Sequence, residues 1–246
     1  MNKLRWIYKG IRLKLRLIRD FTINRIYISK KNEKNLIEEF HNLYYHGRNF
    51  NKGLIKTTWM GVETHKLPLD AWIYQEILFE IKPDVIIETG TYKGGSALYF
   101  ASICDSIGKG KILTIEDGTN VIPKSHNMPI HKRIKYFRGS SISKEIINKI
   151  KKEIKKEDII LVVLDSNHRR EHVLKELEVY NKFVTKGSYI IIEDTNTDGN
   201  PVKTYFGDGA MKGVFDFLEK NKDFEIDKSK EKFLLTFNPN GYLRRK

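Results

Sequence analysis

A short apolar run leads into a glycine-rich turn at Val85-Ile86-Ile87-Glu88-Thr89-Gly90-Thr91-Tyr92-Lys93-Gly94-Gly95-Ser96. The apolar part predicts a buried β-strand, and the residues after Ser96 predict a helix. Gly90 permits a close backbone approach, while Gly94, Gly95 and Ser96 suit the turn into a helix N-terminus, which carries a partial positive charge. The stretch therefore predicts the strand, turn and helix that open a ligand-binding α/β sheet.

Strand-like and helix-like runs alternate along the rest of the chain. A helix over 71–81, which Asp70 can cap, precedes the first strand. The predicted strands cover 85–88, 111–115, 134–137, 159–164, 189–192, 224–226 and 233–237, and the later predicted helices cover 96–104, 144–156, 172–183 and 213–220. The alternation predicts a Rossmann-like α/β fold with a doubly wound, mainly parallel sheet. The last two strand candidates predict an antiparallel pair at its C-terminal end.

Length and composition limit the domain organisation. Because a single α/β domain commonly extends to roughly 250 residues, the 246 residues of the chain predict one domain over 55–246 and a helical extension over 1–54. Cys104 is the only cysteine, which excludes an internal disulfide. No apolar run approaches the roughly 20 residues that span a bilayer, and no leader-like segment opens the chain. We therefore expect a cytoplasmic protein.

The positive charge is concentrated at the N-terminus. The net charge is +14, and residues 1–34 hold eleven Lys and Arg against two acidic residues, a net +9. Over 3–21, apolar residues recur at steps of three and four between basic ones, which predicts a basic amphipathic helix. We expect its apolar stripe to pack on the domain's own core; the alternatives are the inner face of an anionic membrane and a second subunit of a homo-oligomer. Because no nucleic-acid motif accompanies this charge, we expect no nucleic-acid partner, and a non-enzymatic nucleic-acid or membrane-binding module is an alternative function.

The acidic residue at the head of the glycine-rich turn indicates the ligand. The spacing departs from Gly-x-Gly-x-x-Gly, and Glu88 would repel a pyrophosphate but suits the positively charged methionine end of S-adenosylmethionine. The alternative is that Glu88 caps a helix. Glu116, or Asp117 beside it, ends the next strand and is predicted to bind a ribose diol. Ser140 is predicted to line an adenine pocket, with an ordinary turn as the alternative.

Three more carboxylates directly follow predicted strands. Asp165 comes after one apolar run, and Glu193 and Asp194 come after the next, so all three emerge at one edge of the sheet. Like charges repel unless a cation compensates them, and an all-oxygen set suits Mg²⁺ or Mn²⁺. The sequence therefore predicts a divalent metal here. The alternative is that these acids cap helices or pair with Arg169, Arg170 or Lys203.

Two histidines follow Asp165. His168 stands three residues beyond it, and a titration near neutral pH suits a general base that deprotonates an acceptor hydroxyl. His172 is four residues further on, a spacing that also occurs in metal sites. We expect His172 to be a core or supporting residue.

In combination, these stretches resemble the cephalosporin hydroxylase and rhamnosyl O-methyltransferase family over about 55–246. The matching runs are Glu88-Thr89-Gly90 with Gly94-Gly95-Ser96-Ala97-Leu98-Tyr99, Leu164-Asp165-Ser166-Asn167-His168 with Glu171-His172-Val173-Leu174, Gly187-Ser188-Tyr189 with Glu193-Asp194-Thr195, and Phe206-Gly207-Asp208-Gly209. The resemblance implies a class I methyltransferase fold, S-adenosylmethionine at the loop from Glu88 to Gly95, and Mg²⁺ at Asp165, Glu193 and Asp194. It also implies an acceptor hydroxyl on a sugar, glycolipid, polysaccharide or natural product.

The residues and the resemblance together predict a metal-dependent O-methyltransferase. The predicted catalytic residues are His168 and Asp165, and the predicted cofactor-binding residues are Glu88, Thr89, Gly90, Gly94, Gly95, Ser96, Glu116, Asp117, Ser140 and Asp165. A non-haem iron hydroxylase is the alternative enzyme; it would use both histidines with Asp165 and would leave Glu193 and Asp194 without a role. Trp59 is the best candidate for an aromatic wall beside the acceptor, ahead of Trp72, Tyr92 and Tyr205.

Overall fold

The computed structural model describes residues 11–19, 30–47, 57–117, 127–203 and 207–246. Its helices are α1 (Lys30–Asn42), α2 (Pro68–Ile81), α3 (Gly95–Ile107), α4 (Lys144–Glu153), α5 (Arg170–Tyr180) and α6 (Ala210–Lys220), with a π-helical turn at Leu43–Gly47 and a 3-10 turn at Lys228–Glu231. Its strands are β1 (Thr58–Trp59), β2 (Val62–Glu63), β3 (Val85–Thr89), β4 (Lys111–Glu116), β5 (Ile134–Arg138), β6 (Ile160–Leu164), β7 (Tyr189–Ile192), β8 (Phe224–Ile226) and β9 (Tyr242–Arg245). Residues 11–19 are also helical.

The main sheet has the strand order β5-β4-β3-β6-β7-β9-β8 within the described residues. The strands from β5 to β7 in this order are parallel, and β9 runs antiparallel to both β7 and β8. The predicted Rossmann-like, mainly parallel sheet with an antiparallel C-terminal pair is therefore confirmed. β1 and β2 form a separate antiparallel hairpin.

The central strands are buried on both faces because they are uniformly apolar. Every residue of β3, β6 and β7 is buried. Alternate side chains of β3 enter two cores: Val85 and Ile87 pack with α4, α5 and α6, whereas Ile86 packs with α2 and α3 on the opposite face. Fully burying such a side chain contributes roughly 1.5–3 kcal/mol. These cores fix the strands whose ends carry the predicted site residues.

Strand register brings those residues to one edge of the sheet. Thr89 pairs with Ile115 on one side and with Leu164 on the other, and Leu164 pairs in turn with Ile192. The residues that follow the paired positions are Glu116, Asp165 and Glu193. In a parallel sheet this carboxyl edge is where ligands bind, so the register alone places three acids at the binding edge.

The strand predicted over 233–237 is wrong. The segment follows the 3-10 turn, and its polar backbone is used by a buried acid: the Phe237 N–H and the Thr236 hydroxyl donate to the Asp70 carboxylate at 2.8 and 2.5 Å. The last strand is instead β9, at the C-terminus, which the pattern of apolar residues did not reveal. Leu235 and Phe237 are buried without sheet pairing, whereas Phe233 and Leu234 are exposed.

The predicted N-cap role of Asp70 is also wrong. Helix α2 begins two residues earlier at Pro68, whose fixed φ suits the first helical turn, and Leu67 occupies the N-cap without a side-chain hydrogen bond. Asp70 is 2% exposed and also accepts a hydrogen bond from the Tyr242 hydroxyl at 3.0 Å. Burial raises the pKa of Asp70 to about 7, although its hydrogen bonds oppose the rise. Asp70 thus ties α2 to the C-terminal segment.

The described part of the N-terminal extension is only partly joined to the domain. Residues 11–19 are helical as predicted, and 4–10, 20–21 and the boundary predicted at 54/55 lie outside the described residues. Ile11, Leu15 and Ile18 are 54%, 61% and 62% exposed. The expected packing of this stripe on the domain's own core is therefore wrong for 11–19. No helix within the described residues is long and apolar enough to cross a lipid bilayer.

The C-terminal end of α1, by contrast, packs on the domain. His41 is 3% exposed, stacks on Phe237 with ring centroids 5.7 Å apart, and has its Nε2 2.9 Å from Asn196 Nδ2. Burial lowers the pKa of His41 to about 4, so the neutral ring accepts the Asn196 hydrogen bond. Asn196 lies two residues beyond Asp194. The end of α1 therefore supports the loop that carries one of the predicted metal ligands.

Candidate active site

A cavity of about 300 Å³ opens at the carboxyl edge of the sheet. The predicted site residues that line it are Gly90, Gly95, Ser96, Asp165, His168 and Asp194. The other lining residues are Glu63, Thr64, His65, Lys66, Thr91, Tyr92 and Ser166. The glycine-rich loop and the acids that follow β6 and β7 therefore share one cavity.

Glu88 lies beneath the glycine-rich loop and is fully buried. The Thr114 hydroxyl donates to Glu88 Oε2 at 2.7 Å, and the Ser96 side chain also hydrogen-bonds Glu88. Glu88 Oε1 has no hydrogen-bond partner among the described residues. Burial raises the pKa of Glu88 to about 7, although Lys66, Ser96 and Thr114 oppose the rise. Because an unpaired buried acceptor is costly, the free oxygen fits a ligand donor such as an ammonium group.

The glycines of this loop allow two close backbone approaches. Gly90 has a φ of 90°, and a Cβ on it would lie 1.8 Å from the Asp165 carbonyl oxygen. A Cβ on Gly95 would lie 2.2 Å from the Glu63 carbonyl oxygen. Gly94 is the N-cap of α3, which has no side-chain cap, so the alternative reading of Glu88 as the cap of this helix is wrong. A side chain at either close approach would push the surrounding loops apart.

Thr89 joins the glycine-rich loop to the acid at the end of β6. The Asp165 N–H donates to the Thr89 carbonyl oxygen at 3.0 Å and lies 3.3 Å from Thr89 Oγ1. Thr89 is itself fully buried. Its predicted role in cofactor binding is thus accompanied by a structural one, the placement of Asp165.

The residues predicted to hold the ribose and adenine lie at the next strand ends. Glu116 is 8% exposed, and its Oε2 accepts the Tyr92 backbone N–H at 2.8 Å. Tyr92 has a φ of 48°, which is strained for an aromatic residue and is held by this bond. Asp117 is half-buried beside Glu116, whereas Ser140 is exposed in the turn before α4. None of these three residues is among the described residues that line the cavity. Their proposed contacts with the nucleotide stay predictions.

Asp165, His168 and Asp194 form a group that can hold a metal ion. Their donor atoms all lie within 4.8 Å of one another, and His168 Nε2 lies 3.4 Å from Asp194 Oδ2 and 3.9 Å from Asp165 Oδ1. Asp194 has a φ of 55°, a left-handed conformation that Asp tolerates better than most residues, and its N–H donates to Asn238 Oδ1 at 3.2 Å. Two carboxylates and an imidazole fit a divalent cation.

Glu193, the third predicted metal ligand, contacts a lysine. Lys66 Nζ lies 2.7 Å from Glu193 Oε1 and 2.5 Å from Asp165 Oδ2. The Tyr74 hydroxyl also donates to Glu193 Oε1. Burial alone would lower the pKa of Lys66, but the carboxylates of Asp165, Glu193 and Glu88 outweigh it and raise the pKa. Lys66 therefore supplies positive charge that we had expected, from the sequence, to come from a metal ion or from other basic residues.

The basic residues weighed as alternatives lie elsewhere. Arg170 pairs with Asp216 at 2.5 Å and with Asp208 at 3.1 Å. Lys203 is exposed. Neither is an ion-pair partner of the predicted metal ligands within the described residues.

The two histidines belong to different groups. Burial would lower the pKa of His168, but the carboxylates of Asp194, Asp165 and Glu193 raise it. His172 Nε2 lies 3.2 Å from the Ser166 hydroxyl and 3.4 Å from Glu176 Oε1. Among the described residues, His172 is not part of the metal-capable group.

Several cavity residues were not foreseen from the sequence. Glu63 ends β2, and His65 and Lys66 come from the segment between β2 and α2. Lys93 Nζ pairs with Glu63 at 2.6 Å. Lysine is rarely buried, and no periodicity marks Lys66. The sequence signal that could have pointed to Lys66 was the predicted crowding of Asp165, Glu193 and Asp194, because such a group needs a nearby positive charge.

The aromatic residues proposed for an acceptor wall are divided between two places. Tyr92 lines the cavity, whereas Trp59 and Trp72 line an apolar groove of about 810 Å³ between α2 and α3. Thr64 and Lys66 line both the groove and the cavity. Tyr205 lies outside the described residues. The acceptor wall stays a prediction.

Comparison with known sequences gives a consistent match. The model of the family described as rhamnosyl O-methyltransferase/CmcI matches residues 51–246. A rhamnosyl O-methyltransferase of Mycobacterium bovis (strain BCG / Pasteur 1173P2) is 36% identical over 214 residues, which cover 85% of this chain and 84% of that protein. The rhamnosyl O-methyltransferase of Mycobacterium leprae (strain TN) is 35% identical over 216 residues, 86% of this chain and 91% of that protein.

Comparison with solved structures supports the fold. A structure of CmcI with Mg and SAM aligns with a TM-score of 0.56 at 21% identity and covers 80% of this chain and 81% of that chain. At this identity the likeness concerns the arrangement of helices and strands, which agrees with the sheet described above.

Proposed function

The chain belongs to the rhamnosyl O-methyltransferase/CmcI family, and from that membership we propose that it methylates a sugar hydroxyl with the help of a divalent metal, Mg²⁺ or Mn²⁺. Its enzyme class, an S-adenosylmethionine-dependent O-methyltransferase, follows from the family and confirms the class predicted from the sequence. The observation that carries the metal-dependent mechanism is the meeting of Asp165, His168 and Asp194 beside the glycine-rich loop in one cavity. The relatives, which are named rhamnosyl O-methyltransferases, support a sugar acceptor. We propose further that this sugar belongs to a glycolipid or polysaccharide.

The methyl donor is proposed to bind at the glycine-rich loop. Glu88 Oε1 is buried without a hydrogen-bond partner among the described residues. In this proposal it accepts a hydrogen bond from the amino group of the methionine part of the donor. Gly90, Gly95 and Ser96 line the cavity beside it, and Glu116 accepts hydrogen bonds from the ribose. S-adenosylmethionine supplies an electrophilic methyl group on a sulfonium. The bound SAM and Mg of the CmcI structure support the choice of both cofactors.

The acceptor is proposed to bind at the opposite end of the cavity. Asp165, Asp194 and Glu193 would hold the divalent ion, and the bound ion would favour the deprotonated form of an acceptor hydroxyl. In this proposal His168 takes the proton from that hydroxyl and is not a metal ligand, because its Nε2 lies beside the same carboxylates and its raised pKa makes it a stronger base. Holding donor and acceptor in one small cavity supplies proximity and orientation, which is a large part of the rate enhancement.

The alternative enzyme, a non-haem iron hydroxylase, is less well supported by the same geometry. Its ligand set requires two histidines and one carboxylate around a single ion. The metal-capable group of the described residues contains His168 but not His172, which is engaged with Ser166 and Glu176.

Calorimetry with S-adenosylhomocysteine and Mg²⁺ tests the proposed function. We expect wild type to bind both, and Asp165→Ala to bind the nucleotide but to lose the metal. Asp208→Ala is the matched control, because Asp208 pairs with Arg170 and Lys212 outside the cavity. Absence of nucleotide binding by wild type would remove the donor assignment, and unchanged Mg²⁺ affinity in Asp165→Ala would remove the metal site.

The N-terminal helix is proposed to contact the inner face of an anionic membrane, which suits a glycolipid acceptor. Ile11, Leu15 and Ile18 share one helix face and are exposed, and residues 1–34 carry a net +9. We expect the protein to co-sediment with vesicles that contain anionic lipid, and replacement of these three residues by Ser to abolish it. Replacement of Leu13 and Leu17, equally exposed on the opposite face, is the control; equal losses in both variants would contradict a face-specific contact.

A further inference from the structure

Lys66 is a buried cation placed between two acids of the candidate site. Its side chain is 5% exposed, and its Nζ contacts Asp165 Oδ2 at 2.5 Å and Glu193 Oε1 at 2.7 Å. The Glu193 side chain is equally buried at 5%. Lysine loses its hydration at such a position and is retained there only if its partners compensate.

The position of Lys66 is fixed from both sides along the chain. The hairpin that precedes it is closed by a hydrogen bond from Thr64 N to the Thr57 carbonyl oxygen at 2.9 Å. Leu67, which follows it, is buried in a small apolar cluster with Leu235 and Phe237. The backbone is thus held, and only the flexible side chain is free to change partners.

The partners of Lys66 overlap with the group that can hold a metal. Asp165 contacts Lys66 through Oδ2, while its Oδ1 faces His168 Nε2 at 3.9 Å. Glu193 has its Oε1 engaged by Lys66 and by the Tyr74 hydroxyl. A cation that binds these acids therefore shares their carboxylates with the ammonium group of Lys66, and the two positive charges oppose each other at short range.

The charge balance points in the same direction. Asp165, Glu193 and Asp194 bring three carboxylates together, and Lys66 supplies one compensating charge. The group thus holds more carboxylates than ammonium groups, which suits a divalent ion. Without Lys66 all three carboxylates would face each other in a partly buried site, where repulsion is strong.

We propose that Lys66 is a positioning residue that holds Asp165 and Glu193 in place in the metal-free protein and competes with the metal for their carboxylates. The inference rests on the proposed metal-dependent function. Lys66 then has two opposite effects: it stabilises the protein without metal, and it weakens metal binding. A purely structural lysine would have only the first effect, so the second is diagnostic.

The test compares Lys66→Met with wild type in the full-length protein. In EDTA, we expect the thermal midpoint of Lys66→Met to fall by several degrees, because two buried carboxylates lose their cation. In Mn²⁺ titrations followed by calorimetry, we expect Lys66→Met to bind the ion about tenfold more tightly, since no ammonium competes. The rise of the thermal midpoint on adding Mn²⁺ is therefore larger in the variant than in wild type.

Two further variants complete the test. Lys93→Met removes the same charge from the glycine-rich loop, where Lys93 pairs with Glu63. We expect its Mn²⁺ affinity to stay within about twofold of wild type, as for a partly exposed ion pair. Lys66→Gln keeps hydrogen-bond donors without the charge, and it carries the same expectation of tighter binding if Lys66→Met fails to fold.

The outcomes separate this inference from the proposed function. If wild type binds Mn²⁺ and the folded Lys66 variants bind it equally or more weakly, the role of Lys66 is refuted while the metal site stands. If neither wild type nor the Lys66 variants bind Mn²⁺, the metal-dependent function fails and the inference fails with it. Tighter binding in Lys66→Met but not in Lys93→Met supports both.

Discussion

The two ends of the cavity keep their buried acids in different ways. At the nucleotide end, Glu88 is surrounded by hydroxyl groups of Thr114 and Ser96, and burial raises its pKa to about 7. At the metal end, Asp165 and Glu193 are held by the ammonium group of Lys66. Burial raises the pKa of Glu193 as well, but Lys66 opposes that rise through its charge and a direct hydrogen bond. The two ends therefore differ in that a cation contacts the acids at the second end, whereas hydroxyl groups contact the acid at the first.

This difference separates the two ligand demands. Glu88 offers one free oxygen, which a single hydrogen-bond donor satisfies. The metal end has more negative than positive charge and therefore attracts a multiply charged cation. Removing charge should consequently have different results at the two ends.

The largest expected effect is on turnover in His168→Ala. If His168 takes the acceptor proton, its loss lowers kcat by about 10²–10⁴-fold, while affinity for S-adenosylhomocysteine stays at the wild-type value because the glycine-rich loop is untouched. Methyl transfer to a rhamnosyl acceptor and calorimetry measure the two quantities. Unchanged turnover would remove His168 from the mechanism.

A smaller effect is expected on stability in Glu193→Gln. The change leaves the buried Lys66 with Asp165 alone, and loss of one partner from a buried ion pair lowers the free energy of unfolding by about 3 kcal/mol. Urea unfolding in EDTA measures it. An unchanged free energy of unfolding would mean that Glu193 is not the charged partner of Lys66.

Glu88→Gln is the matched control at the other end and is expected to have the smallest effect. The folded-state pKa of Glu88, about 7, lies above the ordinary value of 4.5, so its contribution to stability is present at low pH and is lost as pH rises through 7. The amide of Gln does not titrate, so the variant does not lose this stability as the pH rises. We expect Glu88→Gln to be within about 1 kcal/mol of wild type at pH 7 and relatively more stable at pH 8, and a large loss at pH 8 would contradict the comparison.

The sequence was sufficient for those parts of the molecule that depend on local pattern. Strands β3, β6 and β7 are buried on both faces and are therefore continuous apolar runs, which can be recognised in the sequence alone. Asp165 and Glu193 come directly after β6 and β7 in the sequence. Their proximity was predictable because parallel register brings the ends of the two strands together. β9 was missed since its Arg244 and Arg245 give it a polar appearance.

Contacts between distant segments were beyond the reach of local pattern. The apolar stretch 233–237 resembles a strand in sequence. In the structure, however, the Phe237 N–H donates a hydrogen bond to Asp70, which lies 167 residues earlier in the chain. Lys66 is likewise 99 residues from Asp165. Neither pairing leaves a periodic signal, because each depends on where the fold brings a single polar side chain.

The close approach at Gly90 has a consequence for any redesign of this protein. Because a Cβ on Gly90 would lie only 1.8 Å from the Asp165 carbonyl oxygen, the glycine-rich loop and the end of β6 pack backbone against backbone at this point. A substitution at Gly90 would therefore displace Asp165 together with the loop, and changes to the proposed donor site are better made at residues on the rim of the cavity.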